Sequence, residues 1–285
     1  MTRLVLVSGK GGTGKSAVAA ALGIASARRG DRVLVSSLLE AVGLAQHLGV
    51  PALDYEPTTV RPGLWASAVD RPGALDEYLK VQLRVPKLAP TGHLLRALDL
   101  LVETAPGVRE IVTIGKPVYE VWKETWDLVV ADAPPLGQLE SYLRAPETLA
   151  GLVPEGAVRE QAAAIGRTLA DPQRTSLVLV AVPTELAVVE TLEAAEGLER
   201  TLRLRPTALV ANRVLPHLEV EPEAIEGLRN SPALEAARLH LELEAEQREW
   251  LTRLDADVAL EYLFGLHTPP EVAERLADGL EEVLP

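Results

Sequence analysis

The sequence predicts an α/β fold: a doubly wound, mainly parallel sheet with helices on both faces and a helical insertion. Three observations carry this. Apolar strand-like runs alternate with helical patterns along most of the 285 residues. The first run leads directly into a glycine-rich loop and an alanine-rich helical stretch. A later apolar run ends in an aspartate followed by a Pro-Pro-Leu-Gly turn.

The elements follow in order. Residues 3–8 contain Leu4-Val5-Leu6-Val7, a continuous apolar run suited to a parallel strand covered on both faces. Residues 9–16 read Gly-Lys-Gly-Gly-Thr-Gly-Lys-Ser, a phosphate-binding loop of the form G-x-x-x-x-G-K-[ST] set between a strand and a helix. Gly9, Gly11, Gly12 and Gly14 let the backbone curl so that its N–H groups point at phosphate oxygens. The cofactor-binding stretch is therefore Gly9 to Ala17, with Thr13 inside it. A helix from about Lys15 to Arg29 turns the positive end of its dipole toward the same oxygens. Lys15 is expected to reach the β- and γ-phosphates and Ser16 to ligate Mg²⁺, so ATP with Mg²⁺ is the expected ligand. Lys10 occupies the second loop position, which is ordinarily free; it is either a second phosphate-directed cation or a solvated surface lysine.

Residues 32–37 are the second strand, and the stretch after it holds a single carboxylate, Glu40. The chain from Asp70 to Trp126 is too long for one crossover helix. It reads as a helical insertion at about residues 70–126 within a single domain spanning 1–285, with helical patterns at 76–85 and 93–104 and a turn at Ala105-Pro106-Gly107. Its leucines, such as Leu94, Leu98 and Leu101, face either the core or a client groove. Residues 128–132 form a strand ending at Asp132, a Walker B arrangement. Asp132 is expected to hold Mg²⁺ through a water, because Mg²⁺ keeps most of its hydration shell. The alternative is an aspartate that caps the next turn. Gly137 can offer a backbone N–H to the γ-phosphate and so sense its presence.

Helical patterns at 155–169 and 185–202 flank a strand at 177–182. A strand at 207–212 ends in Asn212-Arg213, where the amide can pair with the adenine edge or simply serve a turn. Residues 229–254 are a highly charged helical segment with a solvated face. After a last strand at 258–263, Phe264-Gly265 is a candidate to flank the base. Thr268 and Pro269 suit the N-cap and first position of a terminal helix over 269–284.

Composition narrows the function. The net charge is −13 with no basic run, which argues against nucleic acid as a partner. The chain has no cysteine, so it has neither disulfides nor thiolate metal sites. No signal peptide and no run of 18 uninterrupted apolar residues is present, so a cytoplasmic protein without stable membrane insertion is expected.

The motifs together resemble the ArsA-type ATPase family, whose members include the arsenical-pump ATPase subunit and the ATPase that targets tail-anchored membrane proteins. Lys10 with Gly11-Gly12 is similar to the deviant Walker A loop of the MinD/ParA/ArsA group. Asp132-Ala133-Pro134-Pro135-Leu136-Gly137 resembles the family's D-x-A-P-x-G switch II, and Ala105–Glu110 its A-P-G-x-x-E element. Val182-Pro183-Thr184-Glu185 with Thr191 resembles the T-x-P-E…E-T segment, and Asn212 falls at the adenine-reading asparagine. The resemblance spans residues 3–213. It implies an ATPase that turns ATP into ADP and phosphate in a nucleotide-sandwich dimer, with itself or with a paralogue. It also implies that Lys10 crosses to the phosphates of the opposite subunit. Catalysis would then rest on Lys10, Lys15, Asp132 and a water-positioning carboxylate.

The departures matter equally. The family's switch I usually reads S-T-D-P-A-H, whereas residues 36–41 read Ser-Ser-Leu-Leu-Glu-Ala. Leu38 stands at the aspartate position; some bacterial members carry a degenerate switch I with acidic residues in this stretch, and Glu40, the only carboxylate nearby, is the candidate for orienting water. The alternative is that Glu40 is an exposed loop residue and the chain an ATP-binding subunit that needs a competent partner. A MinD/ParA-like positioning switch is the other reading; the acidic terminal helix and the missing basic patch disfavour it. The cysteines that arsenite activation and the targeting ATPase's zinc site require are absent.

Overall fold

A computed structural model describes residues 1–78, 107–218 and 231–280. Among these, eight strands form one sheet in the order β3-β4-β2-β5-β1-β6-β7-β8. β1 (Arg3–Gly9) lies at the middle, parallel to β5 (Leu128–Asp132) on one side and β6 (Thr175–Ala181) on the other. β2 (Val33–Ser37) pairs in parallel with β5 and with β4 (Leu64–Ala68). β7 (Ala208–Val214) and β8 (Val258–Glu261) extend the parallel run past β6. Only the edge strand β3 (Thr58–Arg61) is antiparallel among the described strands.

The alternation of side chains along each strand feeds two cores. Val5 and Val7 face one side and Leu4 and Leu6 the other. On the first side lie α1 (Lys15–Arg28), α2 (Ala41–Leu48) and α9 (Pro269–Asp278). Small residues let α1 press close to the sheet: a Cβ on Gly23 would stand 2.3 Å from a Val35 methyl. On the second side lie α4 (Val108–Trp122), α5 (Leu136–Leu152), α6 (Ala157–Ala170) and α7 (Glu185–Leu202). α3 (Arg71–Glu77) packs on α4, and α8 (Pro232–Leu254) lies over β7 and α7.

The strands expected from sequence are all present, with ends shifted by a residue or two. β3 and β4 were not expected: β3 is four residues long, and three of the five residues of β4 are Ser or Ala, so neither gives a strong apolar run. α4 falls within the stretch read as an insertion, yet Ile111, Ile114 and Val118 are fully buried in the second core. The helical pattern at 93–104, most of that at 76–85 and the end of that at 269–284 lie outside the described residues.

Candidate active site

The site is built at the C-terminal edge of the sheet, where β1, β2, β5, β6 and β7 end together. After β1 the chain turns tightly: Gly12 and Gly14 adopt φ +85 and +90, the left-handed region that favours glycine. Gly9 is pressed against β6, since a Cβ there would stand 2.3 Å from the Val180 carbonyl oxygen. The loop is closed by Thr13, whose hydroxyl donates to the Lys10 carbonyl at 2.9 Å. Gly14 caps α1, and Lys15, Ser16 and Ala17 form its first turn. Gly11 and Gly12 are exposed, with open space around them.

Asp132 ends β5 directly across from Ser37 of β2 and Val7 of β1. It is buried, with Ser16 and Lys15 near enough to act on its carboxyl. Its Oδ1 and the Ser37 hydroxyl are buried without a hydrogen-bond partner among the described residues. Burial pushes the Asp132 carboxyl up to about 6, against the downward pull of the Ser16 hydrogen bond and the Lys15 charge. A buried carboxylate with an open oxygen, and with a hydroxyl and a lysine nearby, is a poor structural feature but a suitable cation site. The donor set, one carboxylate and one hydroxyl, suits Mg²⁺, which takes few protein ligands and completes its shell with phosphate and water.

Two loops reinforce this edge. The Ser8 hydroxyl donates to the Pro134 carbonyl at 2.6 Å, and the Ala133 N–H donates to the Val7 carbonyl at 2.9 Å. Gly137 follows in the first turn of α5, exposed, and a Cβ added to it would meet nothing within 4 Å. The Leu38 N–H donates to the Asp132 carbonyl, and the Leu38 side chain is 1% exposed in the second core. The residue expected from sequence at the switch I aspartate position is therefore turned inward here. Glu40 is exposed at the N-cap of α2, with no hydrogen bond or ion pair to the described residues. One turn on, a Cβ at Gly43 would lie 3.4 Å from the Ser16 hydroxyl, so α2 packs right over the loop.

Asn212 is brought to the same place from the far side. Its Nδ2 donates to the Thr13 carbonyl at 2.8 Å, and its Oδ1 accepts from the Arg213 N–H at 3.0 Å. Arg213 has φ +62 at a register irregularity between β7 and β8, and its side chain is exposed. The asparagine thus braces the phosphate loop, a task that sequence reasoning did not give it. Phe264 lies exposed beyond β8, stacked edge-on to Tyr262 with ring centroids 5.0 Å apart. Two further residues escaped the sequence reading: Gly43, and Glu190 on α7, whose carboxylate meets Lys10. The E-T pair at 190–191 was the only signal for the latter.

A glycine-rich loop opening a helix at the carboxyl edge of a parallel sheet, with a buried strand-end aspartate beside it, defines a P-loop nucleotide-binding protein. The model of the anion-transporting ATPase family, ArsA_ATPase, matches residues 2–155. The chain belongs to that family. It is 33% identical over 251 residues to ATPase BagA of Mycobacterium tuberculosis, covering 83% of this chain and 73% of that protein. It is 29% identical over 258 residues to the arsenical pump-driving ATPase of Acidiphilium multivorum, covering 79% of this chain and 43% of that one. The protein is accordingly an ATP-binding, ATP-hydrolysing enzyme. Among the described residues no helix is long and apolar enough to cross a membrane.

Proposed function

We propose that this chain hydrolyses Mg·ATP in a nucleotide-sandwich dimer, as one P-loop domain carrying an insertion at about residues 70–126. The observation that carries the reading is the buried Asp132 carboxyl, with an oxygen unpartnered among the described residues and with Ser16 and Lys15 of the phosphate loop close to it. Ser16 and Asp132 would hold Mg²⁺, which neutralises phosphate charge when bound. Lys15 and the loop N–H groups from Gly9 to Ala17 bind the phosphates, and the Gly137 N–H senses the γ-phosphate. Positioning and charge neutralisation then account for the chemistry. Asn212 keeps one amide N–H after donating to Thr13, and that N–H is available to the adenine edge, beside Arg213. Lys10 acts on the nucleotide of a second subunit.

Support for a dimer comes from the surface. Leu39, Val42, Leu186, Tyr262, Phe264 and Leu266 are all large, apolar and exposed, and all follow the carboxyl ends of strands. Apolar surface gathered around a charged site is the mark of a face that another molecule covers. Glu40 is the candidate for orienting the attacking water, being a free carboxylate at the start of the helix that overlies Ser16. A cytoplasmic location fits the same reading.

The test is steady-state Mg²⁺-dependent ATP hydrolysis by the wild type, Lys15→Ala and Glu40→Gln. Loss of turnover in both variants, with ATP binding kept only by Glu40→Gln, supports this assignment. Full turnover by Glu40→Gln removes Glu40 from the mechanism. Wild-type phosphate release no greater than that of Lys15→Ala makes the chain a binding subunit instead.

A further inference from the structure

The ammonium of Lys10 sits 2.8 Å from the Glu190 carboxylate, joining the phosphate loop to the second turn of α7. The side chains are 31% and 41% exposed, so this pair is reached by water and does not belong to either core. The backbone beneath Lys10 is fixed. Its carbonyl accepts from both the N–H and the hydroxyl of Thr13, and Gly9 has no clearance against Val180. Any change in what Lys10 touches must therefore come from its side chain alone. The four-carbon stem of lysine allows such a swing, and its ammonium has one charge to give.

We propose that Glu190 is a built-in competitor of the nucleotide: it holds Lys10 within its own chain until a second chain presents an ATP triphosphate. This rests on the reading above, in which Lys10 acts across a dimer. Joining two chains then exchanges a carboxylate for phosphate on each side. A triphosphate carries more negative charge than one carboxylate and wins that exchange, whereas a nucleotide-free edge offers Lys10 nothing in return. Glu190 stays accessible to water after release, so letting go of it costs little. The pair thereby raises the threshold for dimerisation without blocking it. Leu186, exposed one turn earlier on the same helix, places the pair beside the apolar edge that pairing would cover.

The size of the effect follows from the exposure. A partly exposed ion pair favours its closed form by about 1.4- to 5-fold. A symmetric dimer breaks two such pairs, so removing them strengthens association by about 2- to 25-fold. The experiment is sedimentation of the wild type, Glu190→Gln, Glu190→Ala and Lys10→Ala with Mg²⁺ and a non-hydrolysable ATP analogue, over a range of protein concentration. Both Glu190 variants are expected to dimerise at concentrations lower by about 2- to 25-fold, and Lys10→Ala at higher ones. If the Glu190 variants associate no more tightly than wild type while Lys10→Ala weakens association, the competitor role is overturned and the cross-dimer role of Lys10 stands. If Lys10→Ala leaves association unchanged, the cross-dimer role itself fails and takes this inference with it.

Discussion

Each glycine of the phosphate loop has its own reason, and the reasons can be tested against one another. Gly14 has φ +90, and a Cβ on it would stand 2.3 Å from the Asn212 Nδ2 that donates to Thr13. Gly11 lies in open space, and an added Cβ would meet nothing within 4 Å. Gly14→Ala should therefore cost roughly 1–2 kcal/mol in backbone conformation alone and break the asparagine brace as well. Gly11→Ala should fold at nearly wild-type stability. Thermal melting combined with titration of a fluorescent ATP analogue checks this: nucleotide affinity should collapse in the first variant and largely survive in the second. Equal affinities in the two would mean that Asn212 does not shape the loop. The loop itself was legible in the sequence, because its chemistry is contained in eight consecutive residues. The contacts that brace and restrain it were not. Asn212 reaches Thr13 across 199 positions and Glu190 reaches Lys10 across 180, and no local pattern records such a meeting.

At the scale of elements, the joint between α3 and α4 stores an unusual amount of buried charge. Lys116 on α4 is 3% exposed and touches Glu77 and Glu120, each at 2.9 Å, with its ammonium 4.3 Å from the centre of the Tyr55 ring. Tyr55 also donates its hydroxyl to Glu77, and Trp126 Nε1 donates to Glu120 at 3.1 Å. Lys116→Met leaves both carboxylates without their central cation. It should destabilise the fold by about 3 kcal/mol, the lower end of the range for broken buried pairs, because Lys123 remains on Glu120. Adding Glu120→Leu should recover part of that loss, which urea denaturation would show. The same joint predicts acid sensitivity. Burial works to raise the Glu120 carboxyl, but hydrogen bonds from Lys116 and Lys123 prevail and hold it below its ordinary value. A depressed carboxylate stabilises the fold above its unfolded pKa, and that contribution fades as pH falls through the folded one. Lys116→Met should therefore flatten the loss of stability below about pH 4.5 relative to wild type. α4 was hard to see in the sequence for a physical reason: Pro117 interrupts it, as Pro146 interrupts α5, and burial rather than helix propensity keeps both helices intact.

For the whole molecule, the fold class was readable because parallel strands covered on both faces carry continuous apolar runs, as Leu4–Val7 of β1, Leu128–Ala131 of β5 and Leu177–Ala181 of β6 do. The order of strands was not, since it depends on which helix covers which face. That order matters to function, because it carries the exposed apolar residues that follow β2, β6 and β8 to the same edge of the sheet as the site. The molecule is otherwise strongly acidic, with a net charge of −13, so two copies repel each other at long range. Something local must overcome that repulsion if the chain pairs on ATP. Leu186 is 61% exposed at the start of α7, beside the Lys10–Glu190 pair, and Val42 is 68% exposed in the first turn of α2. Placing a carboxylate on this edge adds repulsion and removes apolar area together. Leu186→Glu should weaken association with the non-hydrolysable analogue by about tenfold, the equivalent of about 1.4 kcal/mol, while a single chain keeps its ATP affinity. Leu152→Glu, at the opposite end of α5, serves as the control because Leu152 is equally exposed at 63% yet far from the site edge. If both substitutions weaken association alike, the effect belongs to net charge and not to this edge. If neither does, the two chains meet elsewhere, and Lys10 has no phosphate to reach.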